Sequence, residues 1–228
     1  MGYILLEGGA EFGGLMVQPD LRALDLAGGP NARLSIIPAA AAPDNNHHQA
    51  GQRGVRWFEG LGATRVSALP LIDRASANSE GLAEALGRSR LIYLLGGFPD
   101  YLAQTLMDSL CWKAISTAVQ DGAVIAGSSA GAMVLCDYYY DPASESIKKG
   151  LNLLPGACLF PHHNTFGQSW AIQSAQKHPE ILFIGIDEES GMINDGPQGQ
   201  WQIYGKGSVT LYRRHQSRCV RREETFAL

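Results

Sequence analysis

The sequence predicts an α/β fold in which a mostly parallel sheet is flanked by helices and carries an antiparallel edge near the C-terminal end. Three observations predict it. Short, continuously apolar runs alternate with longer amphipathic stretches as far as Gly191, the texture then changes to brief runs broken by turn residues, and the composition is that of a compact soluble protein. Hydrophobic residues make up 45% and charged residues 18% of the 228, with 27 glycines to supply tight turns.

The expected strands, in order, are 3–7 (YILLE), 34–38 (LSIIP), 65–71 (RVSALPL), 90–95 (RLIYLL), 122–127 (GAVIAG) and 181–186 (ILFIGI). Apolar residues without alternation are what a strand buried on both faces requires. Between them, residues 46–61, 79–86, 101–118 and 168–177 have the spacing of amphipathic helices long enough to cross over between parallel strands. After Gly191, the runs GMIND, WQIYG and SVTLY are separated by Gly, Pro and Asn, which predicts antiparallel strands on one edge of a mixed sheet. The polar stretch 137–150 (DYYYDPASESIKKG) has no clear period and is expected to be a loop covering whatever site the preceding motif builds. No repeat or composition boundary divides the chain, so residues 1–228 are expected to form one domain.

Charge excludes two partner classes. A net charge of -4 and an isoelectric point near 5.8 give no broad positive field for nucleic acid or for an anionic membrane surface. The basic tail holding Arg213, Arg214, Arg218, Arg221 and Arg222 is expected to be a solvated face. The N-terminal segment lacks the pattern of a secretory signal and no window is apolar for long enough to span a bilayer, so a cytoplasmic location is expected. The cysteines at 111, 136, 158 and 219 are widely spaced and expected to be reduced.

The strongest chemical signal is the segment 121–135 (DGAVIAGSSAGAMVL), where an apolar strand ends at Gly127-Ser128-Ser129-Ala130-Gly131 and a helical pattern begins at once. This is the form of a nucleophile elbow. The sharp turn projects a hydroxyl away from the backbone, and the flanking glycines leave its approach open. Ser129 occupies the central position. The amide of Ala130, at the new helix N-terminus, is a candidate oxyanion donor. The turn after the preceding strand, Gly96-Gly97-Phe98-Pro99, is placed by parallel topology at the same sheet edge and offers further amides.

Two more strand ends supply titratable groups. The run 153–164 (LLPGACLFPHHN) closes on His162 and His163, and 181–193 (ILFIGIDEESGMI) places Asp187, Glu188 and Glu189 just after an apolar strand. A histidine could serve as base to the serine, and a carboxylate could orient the histidine. No HExxH or clustered cysteine pattern accompanies the histidines, so neither a metal nor another cofactor is expected.

Together, GSSAGA, LLPGACLFPHHN and GIDEESGMI resemble the serine peptidase family that contains cyanophycinase and aspartyl dipeptidase, over roughly residues 90–195. The resemblance implies a class I glutamine amidotransferase-like (flavodoxin-like) fold and a Ser, His, Glu order along the chain. Carried over, it assigns Ser129 as nucleophile, His163 as base, Glu188 as the third member, and the amides of Gly97 and Ala130 as the oxyanion hole. In the family's motif the histidine takes the second place of the dipeptide, which selects His163 over His162; Asn164 stands where an aromatic residue is common. The chain departs from cyanophycinases at Phe98-Pro99, where they carry Asp-Gln, and at 165–177, which contains no arginine. A small peptide or a related amide is therefore the expected substrate, hydrolysed through an acyl-enzyme, and the oligomeric state, a homo-oligomer included, is left open.

Two other readings remain. A carboxylesterase of α/β-hydrolase type would use Ser129, Asp187 and His215 in that chain order. A non-catalytic ligand-binding protein would keep the fold without turnover.

Overall fold

Residues 2–228 are described in a computed structural model of the chain. Its elements alternate as the apolar runs require. In order they are β1 (Ile4–Glu7), α1 (Val17–Leu26), β2 (Leu34–Ile37), α2 (His47–Gly60), β3 (Val66–Ala68), α3 (Glu80–Gly87), β4 (Leu91–Leu94), α4 (Pro99–Leu106), α5 (Leu110–Gln120) and β5 (Val124–Ser128). The second half runs α6 (Ala130–Leu135), β6 (Cys136–Asp141), β7 (Ser146–Lys149), β8 (Leu154–Phe160), α7 (Gln168–Lys177), β9 (Leu182–Ile186), β10 (Ser190–Ile193), β11 (Gln202–Gly205), β12 (Ser208–Arg213) and β13 (Gln216–Arg221).

The strands divide between two sheets. The first has the order β11-β10-β1-β5-β4-β2-β3, parallel from β1 to β3, with β10 and β11 antiparallel at one end. The second has the order β13-β12-β9-β8-β6-β7, with β6, β8 and β9 parallel and antiparallel pairs at both ends. Thus the antiparallel C-terminal texture is present at the edges of both sheets.

Every residue of β1, β2, β4 and β5 is buried, which is why these runs show no alternation in sequence. Leu5, Leu34, Tyr93 and Val124 on one face of the first sheet pack with Leu24 of α1 and Phe58 of α2. Ile4, Leu6, Ile92 and Ile125 on the other face meet Leu102, Leu106 and Ile115 of α4 and α5, and this core continues into Leu159, Ile184 and Val209 of the second sheet. Helix α7 covers the outer face of that sheet, where Ala171 and Ala175 pack on Phe160 and Phe183.

Two expectations are refined. The stretch expected to be one helix over 101–118 is two, because the chain leaves α4 at Met107, turns through Asp108 at φ +58°, and restarts at Ser109, whose side chain accepts from the Trp112 amide at 3.0 Å. A serine cap of this kind is worth about 1 kcal/mol, enough to favour a new start over a continued helix. The segment 137–150 is a hairpin of β6 and β7, not an irregular loop; half of β6 is buried, including Tyr139 and Asp141, while Asp137, Tyr138 and Tyr140 are partly open. Cys111, Cys136 and Cys158 are buried free thiols, whereas Cys219 is exposed. Among the described residues no helix is long and apolar enough to cross a membrane.

Candidate active site

The carboxyl ends of β1, β5 and β4 lie side by side, and the loops leaving them converge on Ser129. That residue joins β5 to α6 at φ +48° and ψ -113°, a strained conformation for a residue with a side chain. Neighbouring structure holds it there. The Ser129 amide donates to the Glu7 carbonyl at the end of β1 (3.1 Å), and its carbonyl accepts from the Met133 amide (2.9 Å). Gly131 cannot be replaced in place, since a Cβ there would lie 2.2 Å from the Leu94 carbonyl oxygen. The elbow is thus wedged between two strand ends.

The second sheet delivers the histidines. β8 ends at Phe160, and the His162 amide donates to the Gly8 carbonyl (2.7 Å), which ties this end to the loop after β1. His162 itself is left-handed (φ +50°, ψ 36°), and its carbonyl then accepts from the amides of Thr165, Phe166 and Gly167 in a π-helical turn, His163–Gly167, that runs into α7. The result turns the His162 ring to Ser129, with Oγ and Nε2 3.0 Å apart. His162 Nδ1 lies 2.7 Å from Glu188 Oε1. Phe166 stacks on the imidazole with centroids 5.0 Å apart, and Gly9 also lies close to the ring, where a Cβ would come within 2.4 Å of His162 Cε1.

The sequence reading placed His163 beside Ser129, and the structure does not. His163 is 5% exposed and faces the other way. Its Nδ1 is 3.2 Å from Asp187 Oδ1, its Nε2 is 2.7 Å from the Tyr212 hydroxyl, and its ring rests on the main chain of Gly185. The physical reason is the left-handed turn at His162, which reverses the chain between the two rings. Asp187 is likewise engaged elsewhere. Burial pushes its carboxyl up, but hydrogen bonds from His163 and from the Ser208 hydroxyl and amide outweigh that and hold it below the usual aspartate value. His215 lies exposed in the turn between β12 and β13. The alternative trio of Ser129, Asp187 and His215 is therefore not brought together.

Glu188 is where the sequence reading expected it, at the end of β9 and half-buried. Its amide donates to Asn164 Oδ1 at 2.9 Å, a contact the sequence reading missed, since Asn164 was noted only as a departure from an aromatic.

The Gly96-Gly97 turn abuts the elbow: a Cβ on Gly96 would lie 3.3 Å from that of Ser129. The Gly96 amide donates to Glu11 Oε2 at 3.0 Å, while the Gly97 and Ala130 amides find no acceptor among the described residues. Glu11 is a residue that sequence reasoning passed over. Burial pushes its carboxyl up, against the pull of the Gly96 amide and the Ser128 hydroxyl.

No group of three or more His, Cys, Asp or Glu side chains able to hold a metal ion occurs among the described residues. What the arrangement can do is transfer a proton from a strained serine hydroxyl to a carboxylate-oriented imidazole, beside two free amides.

Comparison with known proteins places the chain in a family. The family model "Peptidase family S51" matches residues 4–199. The cyanophycinase of Trichormus variabilis is 30% identical over 81% of this chain and 64% of its own length. That of Geminocystis herdmanii is 28% identical over 81% of this chain and 71% of its length. The chain thus spans a little under two thirds of the former relative. A crystal structure of a peptidase from an acI-B1 Actinobacterium superposes with a TM-score of 0.87 at 26% identity, covering 100% of this chain and 97% of that one.

Proposed function

The chain belongs to Peptidase family S51, and on that premise we propose that it is a serine peptidase which hydrolyses small peptides or related amides through an acyl-enzyme on Ser129. The observation that carries the reading is the continuous relay from Ser129 Oγ to His162 Nε2 (3.0 Å) and from His162 Nδ1 to Glu188 Oε1 (2.7 Å). A carboxylate can only accept, so Glu188 favours the tautomer with the proton on Nδ1 and leaves Nε2 free to take the serine proton.

In this mechanism Ser129 Oγ attacks the substrate carbonyl as His162 removes its proton. The amides of Gly97 and Ala130 hold the oxyanion. Protonated His162 then gives its proton to the leaving amine, the C–N bond breaks, and an acyl ester remains on Ser129. Water, deprotonated by the same imidazole, hydrolyses the ester and restores the hydroxyl.

Labelling with a fluorophosphonate followed by peptide mapping tests the proposal. The expected result is a single adduct on Ser129, abolished in Ser129→Ala; an unlabelled protein without peptidase activity supports the non-catalytic reading instead.

A further inference from the structure

A cavity of about 500 Å³ opens beside the Gly96-Gly97 turn. Gly97 forms part of its wall, with Phe98, Pro99 and Tyr101 from the start of α4 and Pro142 from the turn between β6 and β7. The polar hairpin thus forms the outer wall of a pocket that begins at Gly97, in the turn that abuts the elbow. Phe98 is 43% exposed, a large ring left facing open space.

Two carboxylates, Asp100 and Asp141, also line the cavity. Lys148 of β7 sits between them, with its Nζ 2.8 Å from Asp100 and 2.7 Å from Asp141. The remaining donors are supplied locally. The Tyr139 hydroxyl and Gln104 amide donate to Asp100, each at 2.7 Å, and the Ser144 hydroxyl and Ala143 amide donate to Asp141 at 2.6 and 3.1 Å. This cluster binds the hairpin to α4, so the pocket wall is held before substrate arrives. It also leaves little for a charged ligand. The single ammonium is engaged twice, so a substrate carboxylate would meet two like charges with no free cation. Each carboxylate oxygen already has a donor, so a substrate cation would have to compete for acceptors that are in use. The remaining attraction is burial against rings and prolines.

The side chain of the acyl residue branches from the atom next to the attacked carbonyl, and the cavity begins at Gly97, whose amide would hold that carbonyl's oxygen. Resting on the reading of Ser129 as a peptidase nucleophile, we infer that this cavity receives the side chain of the residue whose carbonyl is attacked, and that it selects an uncharged apolar side chain against an acidic one.

The test uses the full chain and a series of p-nitroanilides, blocked and unblocked at the amine, with Phe, Leu, Asp or Arg as the acyl residue. The expected result is a kcat/KM for Phe or Leu at least about tenfold above that for Asp and Arg. In Phe98→Lys, which replaces the ring by the free cation that the cavity lacks, the Phe-to-Asp ratio is expected to fall about tenfold or more. In Lys148→Met, which leaves two carboxylates without their cation, the Arg substrate is expected to gain on Phe. Fluorophosphonate labelling of the wild-type protein runs alongside. A labelled enzyme that prefers Asp or Arg, or whose preference ignores both substitutions, overturns the pocket assignment alone. A protein with neither label nor turnover overturns the peptidase reading and the pocket with it.

Discussion

His162 and His163 are consecutive in the chain, yet each ring is held by a different carboxylate. His162 Nδ1 lies 2.7 Å from Glu188, and His163 Nδ1 lies 3.2 Å from Asp187, itself the neighbour of Glu188. Two adjacent His–acid pairs thus run side by side, and only the first points at Ser129.

The pairs should separate cleanly on substitution. His162→Ala is expected to lose several powers of ten in kcat, as for removal of a triad base. His163→Ala removes a buried ring and leaves Asp187 and the Tyr212 hydroxyl with a partner fewer, so its cost is expected in stability, about 2 kcal/mol or more. Turnover and thermal melting of the two variants check this. An inactive but fully stable His163→Ala beside an active His162→Ala would return the base to the position read from sequence.

Why the serine was legible and the histidine was not is a matter of range. The elbow is specified within a few residues: a Cβ at Gly127 would lie 2.5 Å from the main chain of Gly131, four residues on, so the glycines that frame the serine exclude side chains from each other's space. The choice between two adjacent histidines depends on a backbone reversal at His162 and on partners 26 and 24 residues further along. No spacing rule encodes that. The strands of the first sheet were legible because burial on both faces leaves an unbroken apolar run. The hairpin of β6 and β7 was not, because Tyr138, Tyr140 and Lys148 are only half-buried and give no apolar stripe. The break between α4 and α5 did have a signal, the serine at 109.

Asn164 should matter through Glu188. Its Oδ1 accepts the Glu188 amide at 2.9 Å, and Asn164→Ala frees the turn that aims the carboxylate. The expected outcome is a fall in kcat of about tenfold to a hundredfold with KM little changed, the pattern of a misplaced catalytic group. An unchanged kcat in steady-state assays would remove Asn164 from the positioning of the relay.

Glu11 should matter through the Gly96-Gly97 turn. Its Oε2 accepts the Gly96 amide at 3.0 Å and so sets the orientation of the next peptide, whose Gly97 amide is the proposed oxyanion donor. Glu11→Ala is expected to lower kcat by about a hundredfold, comparable to loss of one oxyanion donor. Glu11→Gln keeps an acceptor oxygen and should recover most of that loss. Equal rates for the two variants, compared at matched stability, would contradict the role.

Beneath the elbow lies a pair of acids that should govern how stability changes with pH. Glu7 of β1 and Asp20 of α1 are both fully buried. The Tyr93 hydroxyl donates to Glu7, and Trp57 Nε1 donates to Asp20 Oδ2 at 2.8 Å. Glu7 Oε1 and Asp20 Oδ1 have no donor among the described residues. Two neighbouring carboxyls with orphaned oxygens are satisfied together by one shared proton. Burial, reinforced by Glu11 and by their mutual repulsion, pushes Glu7 well above the usual glutamate value, and burial pushes Asp20 up to about 7 from 3.8. The folded state therefore keeps a proton that the unfolded chain gives up. Stability from Asp20 is fully present below pH 3.8, falls as pH rises toward about 7, and is level above that, with Glu7 extending the fall to higher pH. Asp20→Asn cannot titrate, keeps an oxygen for Trp57, and offers an amide to Glu7. Across pH 4 to 7, thermal melting of the wild type is therefore expected to lose stability relative to Asp20→Asn, and parallel curves for the two proteins would refute the shared proton.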